Sequence, residues 1–219
     1  MKYLVFSDLH GDYEACKRII DKFNLNDCDK LICLGDLLYH GPRNDLPSGH
    51  NPKKVIELLN DQINKEFYSA YLYLDIANYY TANDLDGFAN WYTIQAQEER
   101  DHALLFLKYL QINGIPVELK AIDKPDKTFE NHLDPLLAGA EHERYVTSLI
   151  HNIYDAAYGV KDFRTMQFLD WFVKEQMEEE ENADKMVNKY KLFGDDPKSL
   201  YLLDQELATR IYTAPSLVL

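Results

Sequence analysis

The 219-residue sequence predicts a mainly α fold, a four-helix bundle with a short fifth helix, preceded by a partial α/β segment of strand, helix, strand order. Three observations carry this reading. From residue 51 onward, apolar residues recur at three- and four-residue spacing in four stretches of more than about twenty residues each, a length unusual outside bundles and coiled coils. Gly, Pro, Asn and Asp separate the stretches. Before residue 51 the pattern changes to short apolar runs flanking one helical repeat.

In the N-terminal segment, residues 3–7 and 30–34 are the apolar runs, residues 13–23 have helical spacing, and Gly35 follows the second run. This is the pattern of one βαβ unit. Residues 40–52 then carry Gly41, Pro42, Asn44, Asp45, Pro47, Ser48 and Gly49, all of which break periodicity. Two domains are therefore predicted, residues 1–50 and residues 51–219.

Asn51 is suited to cap the first long helix, with Pro52 at its first position. Ile63, Phe67, Ala70, Leu74 and Ala77 form its apolar stripe through about Tyr80. Asp84 is read as the cap of the second helix, which Asn113, Gly114 and Pro116 stop. Residues 115–130 form a loop long enough to cross the length of a bundle, so the second and third helices can run parallel. The third helix should cover about 134–158 and stop at Gly159, and the fourth about 162–192 and stop at Gly194. Asp195 or Asp196 with Pro197 then opens a short helix through about Ala208.

With 46% hydrophobic residues the chain can bury a core, and no apolar run reaches membrane-span length. Asp8 interrupts what would be a signal-peptide apolar region, so a cytoplasmic protein is expected. Cys16, Cys28 and Cys33 have no metal-finger spacing. The net charge of −14 falls entirely after residue 56, where 29 acidic residues face 15 basic ones. A surface of that sign repels nucleic acid and attracts cations, although solubility alone also accounts for it.

The chemistry-bearing residues lie on the four long helices. They are Glu66, the pair Glu99 and His102, Glu143, and the pair Gln176 and Glu179. Residues three apart share a helix face, so each pair can aim two ligands at one point, and a bundle that gathers the four faces builds a di-iron carboxylate site. Hard oxygen donors with one nitrogen suit iron. In this arrangement Glu99 bridges, Glu66 and His102 complete one iron position, and Glu143 and Glu179 form the other with Gln176 nearby. Tyr73, seven residues after Glu66 on the same face, is either a hydrogen-bond and electron donor to the site or ordinary core. Taken singly, each of these residues also fits a solvated helix face.

The order and spacing of Asn64-Lys65-Glu66-Phe67-Tyr68-Ser69, Ala96-Gln97-Glu98-Glu99-Arg100-Asp101-His102, His142-Glu143, and Phe168-Leu169-Asp170-Trp171-Phe172-Val173-Lys174-Glu175-Gln176-Met177-Glu178-Glu179-Glu180 resemble a bacterial non-haem ferritin subunit over residues 57–210. The resemblance implies a homo-oligomeric cage of twenty-four subunits that oxidises Fe(II) with dioxygen and stores ferric mineral. It also implies a third iron position formed by Glu98, Glu175, Glu178 and Glu179. Bacterioferritins repeat Glu-x-x-His on the fourth helix; Gln176-x-x-Glu179 stands here instead, which points to the haem-free branch.

The blocks Phe6-Ser7-Asp8-Leu9-His10-Gly11-Asp12 and Leu34-Gly35-Asp36-Leu37-Leu38-Tyr39-His40-Gly41-Pro42-Arg43-Asn44 resemble the start of a calcineurin-like metallophosphoesterase of the small bacterial phosphodiesterase type. That resemblance implies metal ligation by Asp8, His10 and Asp36, for instance of Mn(II), with Asp36 bridging. The Gly-Asn-His or Gly-Asn-Cys block and the later histidine motifs do not follow, so the fragment reads as truncated. The join falls within Val55-Ile56-Glu57-Leu58-Leu59-Asn60, which suits a helix of either family. A natural fusion, an engineered chimera and an artificial sequence all have this appearance. The competing functional readings are a metal-dependent phosphodiesterase and a non-catalytic helical scaffold.

Overall fold

The computed structural model describes residues 3–6, 30–33 and 52–219. The chain divides into two units, Met1–Pro52 and Lys53–Leu219. In the first, β1 (Tyr3–Phe6) and β2 (Lys30–Cys33) pair in parallel, with Tyr3 opposite Lys30 and Phe6 opposite Cys33. The helix expected over 13–23 lies outside the described residues, as do Asp8, His10 and Asp36.

The second unit is helical: α1 (Pro52–Thr81), α2 (Asp86–Ile112), α3 (Asp134–Gly159), α4 (Phe163–Phe193) and α5 (Pro197–Leu207). Their directions follow from two apolar clusters. One gathers Val55, Leu59 and Ile63 of α1, Phe106 and Leu110 of α2, Val146 to Ile153 of α3, and Phe168 and Phe172 of α4. The other gathers Leu72 to Tyr80 of α1, Phe88 and Tyr92 of α2, Leu136 and Ala140 of α3, and Met186 and Val187 of α4, together with Leu203 and Leu207 of α5. Hence α1 and α4 run from the first cluster to the second, while α2 and α3 run from the second to the first.

Two parallel neighbours in sequence need a long connection, and residues 113–133 supply it along α1. Glu118 N donates to Asn60 Oδ1 (3.0 Å) and Lys120 pairs with Asp61 at one end; Tyr80 OH donates to His132 O (2.7 Å) at the other. Twenty helical residues separate these anchors, about 30 Å at the α-helical rise.

One helix end, the start of α2, differs from expectation, while α3 stops at Gly159 as expected. Leu85, without a side-chain bond, is the N-cap of α2, and Asp84 adopts a left-handed φ of 58° in the turn. Asp tolerates that conformation because its short side chain hydrogen-bonds locally. Gly159 is the last residue of α3 in ordinary geometry, and Lys161 takes the left-handed φ of 57°. Gly114 is left-handed, at φ 68°, where it stops α2. Asp162 and Asp196 cap α4 and α5 by accepting from Thr165 N and Ser199 N. Asp204 of α5 replaces the missing local cap of α2: its Oδ1 accepts from Gly87 N (2.7 Å) and Phe88 N (3.1 Å). Among the described residues no helix is long and apolar enough to cross a membrane.

Candidate metal centre

A polar belt separates the two apolar clusters. On α1, Glu66 lies between Ile63 and Leu72; on α2, Glu99 and His102 lie between Ala96 and Phe106. On α3, Glu143 lies between Ala140 and Val146; on α4, Gln176 and Glu179 lie between Phe172 and Met186. Each of the six is at most 6% exposed, so the helical period that buries the core necessarily buries four carboxyl groups with it.

Glu66, Glu99 and His102 each offer a ligand atom within 4.8 Å of the other two. Oxygen and nitrogen ligands lie about 2.0–2.2 Å from a zinc-like ion, so opposite donors stand up to ~4.4 Å apart and slight closure would surround one cation. Gln62 Nε2 donates to Glu66 Oε1 (2.8 Å), whereas Glu66 Oε2 is buried without a hydrogen-bond partner. His102 Nδ1 is 3.6 Å from Glu99 Oε2, and its ring meets Trp171 and Phe172 edge-on.

The other half of the belt is tied by hydrogen bonds. Tyr73 OH donates to Glu143 Oε1, and Gln176 Nε2 lies 3.2 Å from Glu143 Oε2 and 3.3 Å from Thr147 Oγ1. Gln95 Nε2 donates to Glu179 Oε2 (2.6 Å). A narrow cavity lined by Tyr73, Tyr92, Gln95, Glu143, Glu179 and Met186 reaches this half.

Burial dominates the electrostatics. It pushes Glu66, Glu99 and Glu179 well above the usual carboxylate range, and the neighbouring carboxylates push further: Glu99 on Glu66, Glu143 on Glu99, and both Glu143 and Glu99 on Glu179. Glu143 is raised by burial, with Tyr73 and Gln176 pulling it back as donors. Tyr73 is raised well above its ordinary value, chiefly by burial and then by Glu143. His142, removed from water and facing Lys127 and Lys65, is lowered to about 4, so at neutral pH its uncharged ring meets Ser69 Oγ at 2.7 Å. Four clustered carboxyls with one orphaned oxygen need protons or cations, and that donor set suits a divalent metal.

Glu98, Glu175 and Glu178 each precede a belt residue by one position, on the neighbouring faces of α2 and α4, and are not drawn into the trio. Glu98 is half-buried and engaged by Arg210 Nη2 at 2.5 Å; Glu175 is half-buried and Glu178 exposed. Sequence reasoning missed Gln62 and Gln95, although each precedes a site carboxylate by four residues and so shares its face. It also missed Thr147 and Arg210.

Fold and site together define a helical-bundle protein with a buried carboxylate and histidine centre. The Ferritin-like domain family matches residues 56–193. A bacterial non-heme ferritin of Campylobacter jejuni is 40% identical over 153 residues, covering 70% of this chain and 92% of its own length. One from Staphylococcus haemolyticus is 37% identical over 160 residues, covering 73% and 96%. Among solved structures, a closed form of the Archaeoglobus fulgidus ferritin engineered by site-directed mutagenesis superposes with a TM-score of 0.72 at 42% identity, covering 74% of this chain and 99% of that one. The chain belongs to the ferritin family.

Proposed function

We propose that this chain takes Fe(II) as substrate, oxidises it with dioxygen at the mid-bundle belt, and stores the ferric product inside a shell of twenty-four copies. One observation carries the reading: four buried carboxyls and His102 converge with Glu66 Oε2 left without a partner, an arrangement a cation completes. The relatives named ferritins support it. A cytoplasmic setting, where Fe(II) is available, accords with it.

In this reading Glu99 bridges two iron positions. Glu66 and His102 complete the first; Glu143 and Glu179, with Gln176, complete the second. Tyr73 holds Glu143, and Glu98, Glu175 and Glu178 join Glu179 in a third position. Two Fe(II) each surrender one electron to dioxygen, which takes up two protons and leaves as hydrogen peroxide, and the protons held on the buried carboxyls leave as iron enters. The apolar clusters on either side exclude bulk water from the belt.

The test is anaerobic Fe(II) loading followed by exposure to air, with ferric absorbance followed in the wild type and in the Glu99→Ala, His102→Ala double variant. Fast oxidation that falls to the background rate in the double variant is expected, together with a light-scattering mass of about twenty-four subunits. Equal rates in the two proteins refute the site; a monomer refutes the shell.

A further inference from the structure

Beyond α5 the chain does not leave the bundle. Asn90 Nδ2 donates to Leu207 O (3.3 Å) and Arg210 O (3.1 Å), Tyr212 OH donates to Asp101 Oδ2 (2.6 Å), and Trp171 Nε1 donates to Ser216 Oγ (2.9 Å). Residues 208–219 therefore follow the α2 and α4 faces from the second apolar cluster to the first, where Leu217 and Leu219 pack.

Arg210 is the residue of this strap that faces the site. Its guanidinium lies over the Trp91 ring at 4.1 Å. Nη1 donates to Gln95 Oε1 (2.9 Å) and Trp91 O (3.2 Å), and Nη2 donates to Glu98 Oε2 (2.5 Å). Both charged side chains of the pair are only 16% exposed, so water screens them weakly. Gln95 in turn donates to Glu179 Oε2. Because the guanidinium only donates, it engages Gln95 Oε1 and so holds Gln95 Nε2 toward Glu179.

We propose that Arg210 is a built-in cation at the third iron position: it neutralises Glu98 and orients Gln95 toward Glu179, and an incoming metal ion must displace it to use Glu98. This rests on the function proposed above. Arg210 is thus a positioning residue that acts through Glu98 and Gln95. It keeps Glu98 occupied until the inner positions are filled, and its release as the last ion binds frees Gln95, which loosens Glu179.

The test uses Co(II), which air does not oxidise under these conditions, titrated into the metal-free full-length protein by calorimetry and visible absorbance. Arg210→Gln should bind the last ion about tenfold more tightly than wild type, the factor equivalent to about 1.4 kcal/mol. Arg210→Lys keeps the charge but cannot fork between Gln95 and Glu98, so a smaller gain is expected. Glu98→Gln should lose the last ion, and combining it with Arg210→Gln should abolish the gain. Unchanged last-ion affinity in both Arg210 variants, or a gain that survives Glu98→Gln, overturns the proposal. Should Arg210→Gln not fold, the Arg210→Lys and Glu98→Gln results decide it alone. If Co(II) binding is instead insensitive to the Glu99→Ala, His102→Ala double variant, the proposed function itself fails, a result distinct from the first.

Discussion

The protons on the belt make metal binding and stability respond to pH in opposite directions. In the metal-free protein Glu66, Glu99 and Glu179 keep protons well above their ordinary value of 4.5 because burial removes water from the charged form. Between 4.5 and the raised value the folded chain holds more protons than the unfolded chain. Stability therefore falls as pH rises through that window, by about 1.4 kcal/mol per pH unit for each proton retained. Below the window both states are protonated and nothing changes further; above it the loss is complete. A divalent ion acts on the same protons. Bound by Glu66, Glu99 and His102, it must displace those of Glu66 and Glu99, so at about pH 5.5 the first ion should release protons, with apparent affinity rising as pH rises. The assay is calorimetric titration of Zn(II) in buffers of different ionisation enthalpy. Glu99→Gln should release fewer protons than the wild type. No proton release in the wild type at that pH would refute the argument that burial keeps these groups uncharged.

Two further variants probe the scaffold that holds the belt. Phe106 is fully buried, with its ring centroid 4.3 Å from that of Phe172 and 5.2 Å from that of Phe168, so Phe106→Ala should cost about 3–5 kcal/mol in chemical denaturation, and a loss below ~1 kcal/mol would show that the cluster collapses to fill the space. A Cβ on Gly87 would lie 1.7 Å from the backbone oxygen of Asp204, so Gly87→Ala should push α5 off the start of α2 and, with the Asp204 cap lost, cost about 0.5–2 kcal/mol; unchanged hydrogen-exchange protection at the start of α2 would contradict this.

The apolar period made the four long helices and their site faces legible, because one repeat sets both which residues enter the core and which carboxyls go with them. The start of α5 was legible as Asp195 or Asp196 followed by Pro197, and Asp196 is the cap. Asp84 was misread because the cap of α2 comes from Asp204, more than a hundred residues away, and no local pattern announces it. Gln62 and Gln95 carried a signal in their four-residue spacing to Glu66 and Glu99, but an amide is equally at home on a wet face. Arg210 carried none: it lies outside any helical repeat, and only the path of the strap brings it to Glu98 and Gln95.

The position of the belt explains how a bundle tolerates it. Four uncharged or metal-bound carboxyls contribute little cohesion, and ionised without a cation they oppose folding by several kcal/mol. Aromatic and aliphatic clusters on both sides hold the helices in register across that weak zone: Phe106, Phe168 and Phe172 below it, Tyr80, Phe88 and Tyr92 above it. A site at either end of the bundle would be flanked by only one such cluster, and the helix ends would splay when the carboxyls ionised. Placed centrally, the same repulsion has no free end to move, so it is relieved by taking up protons or a cation. On the proposed reading the rigidity of the two clusters favours a metal-filled belt, and the strap carrying Arg210 compensates Glu98, a half-buried carboxylate at the edge of that belt.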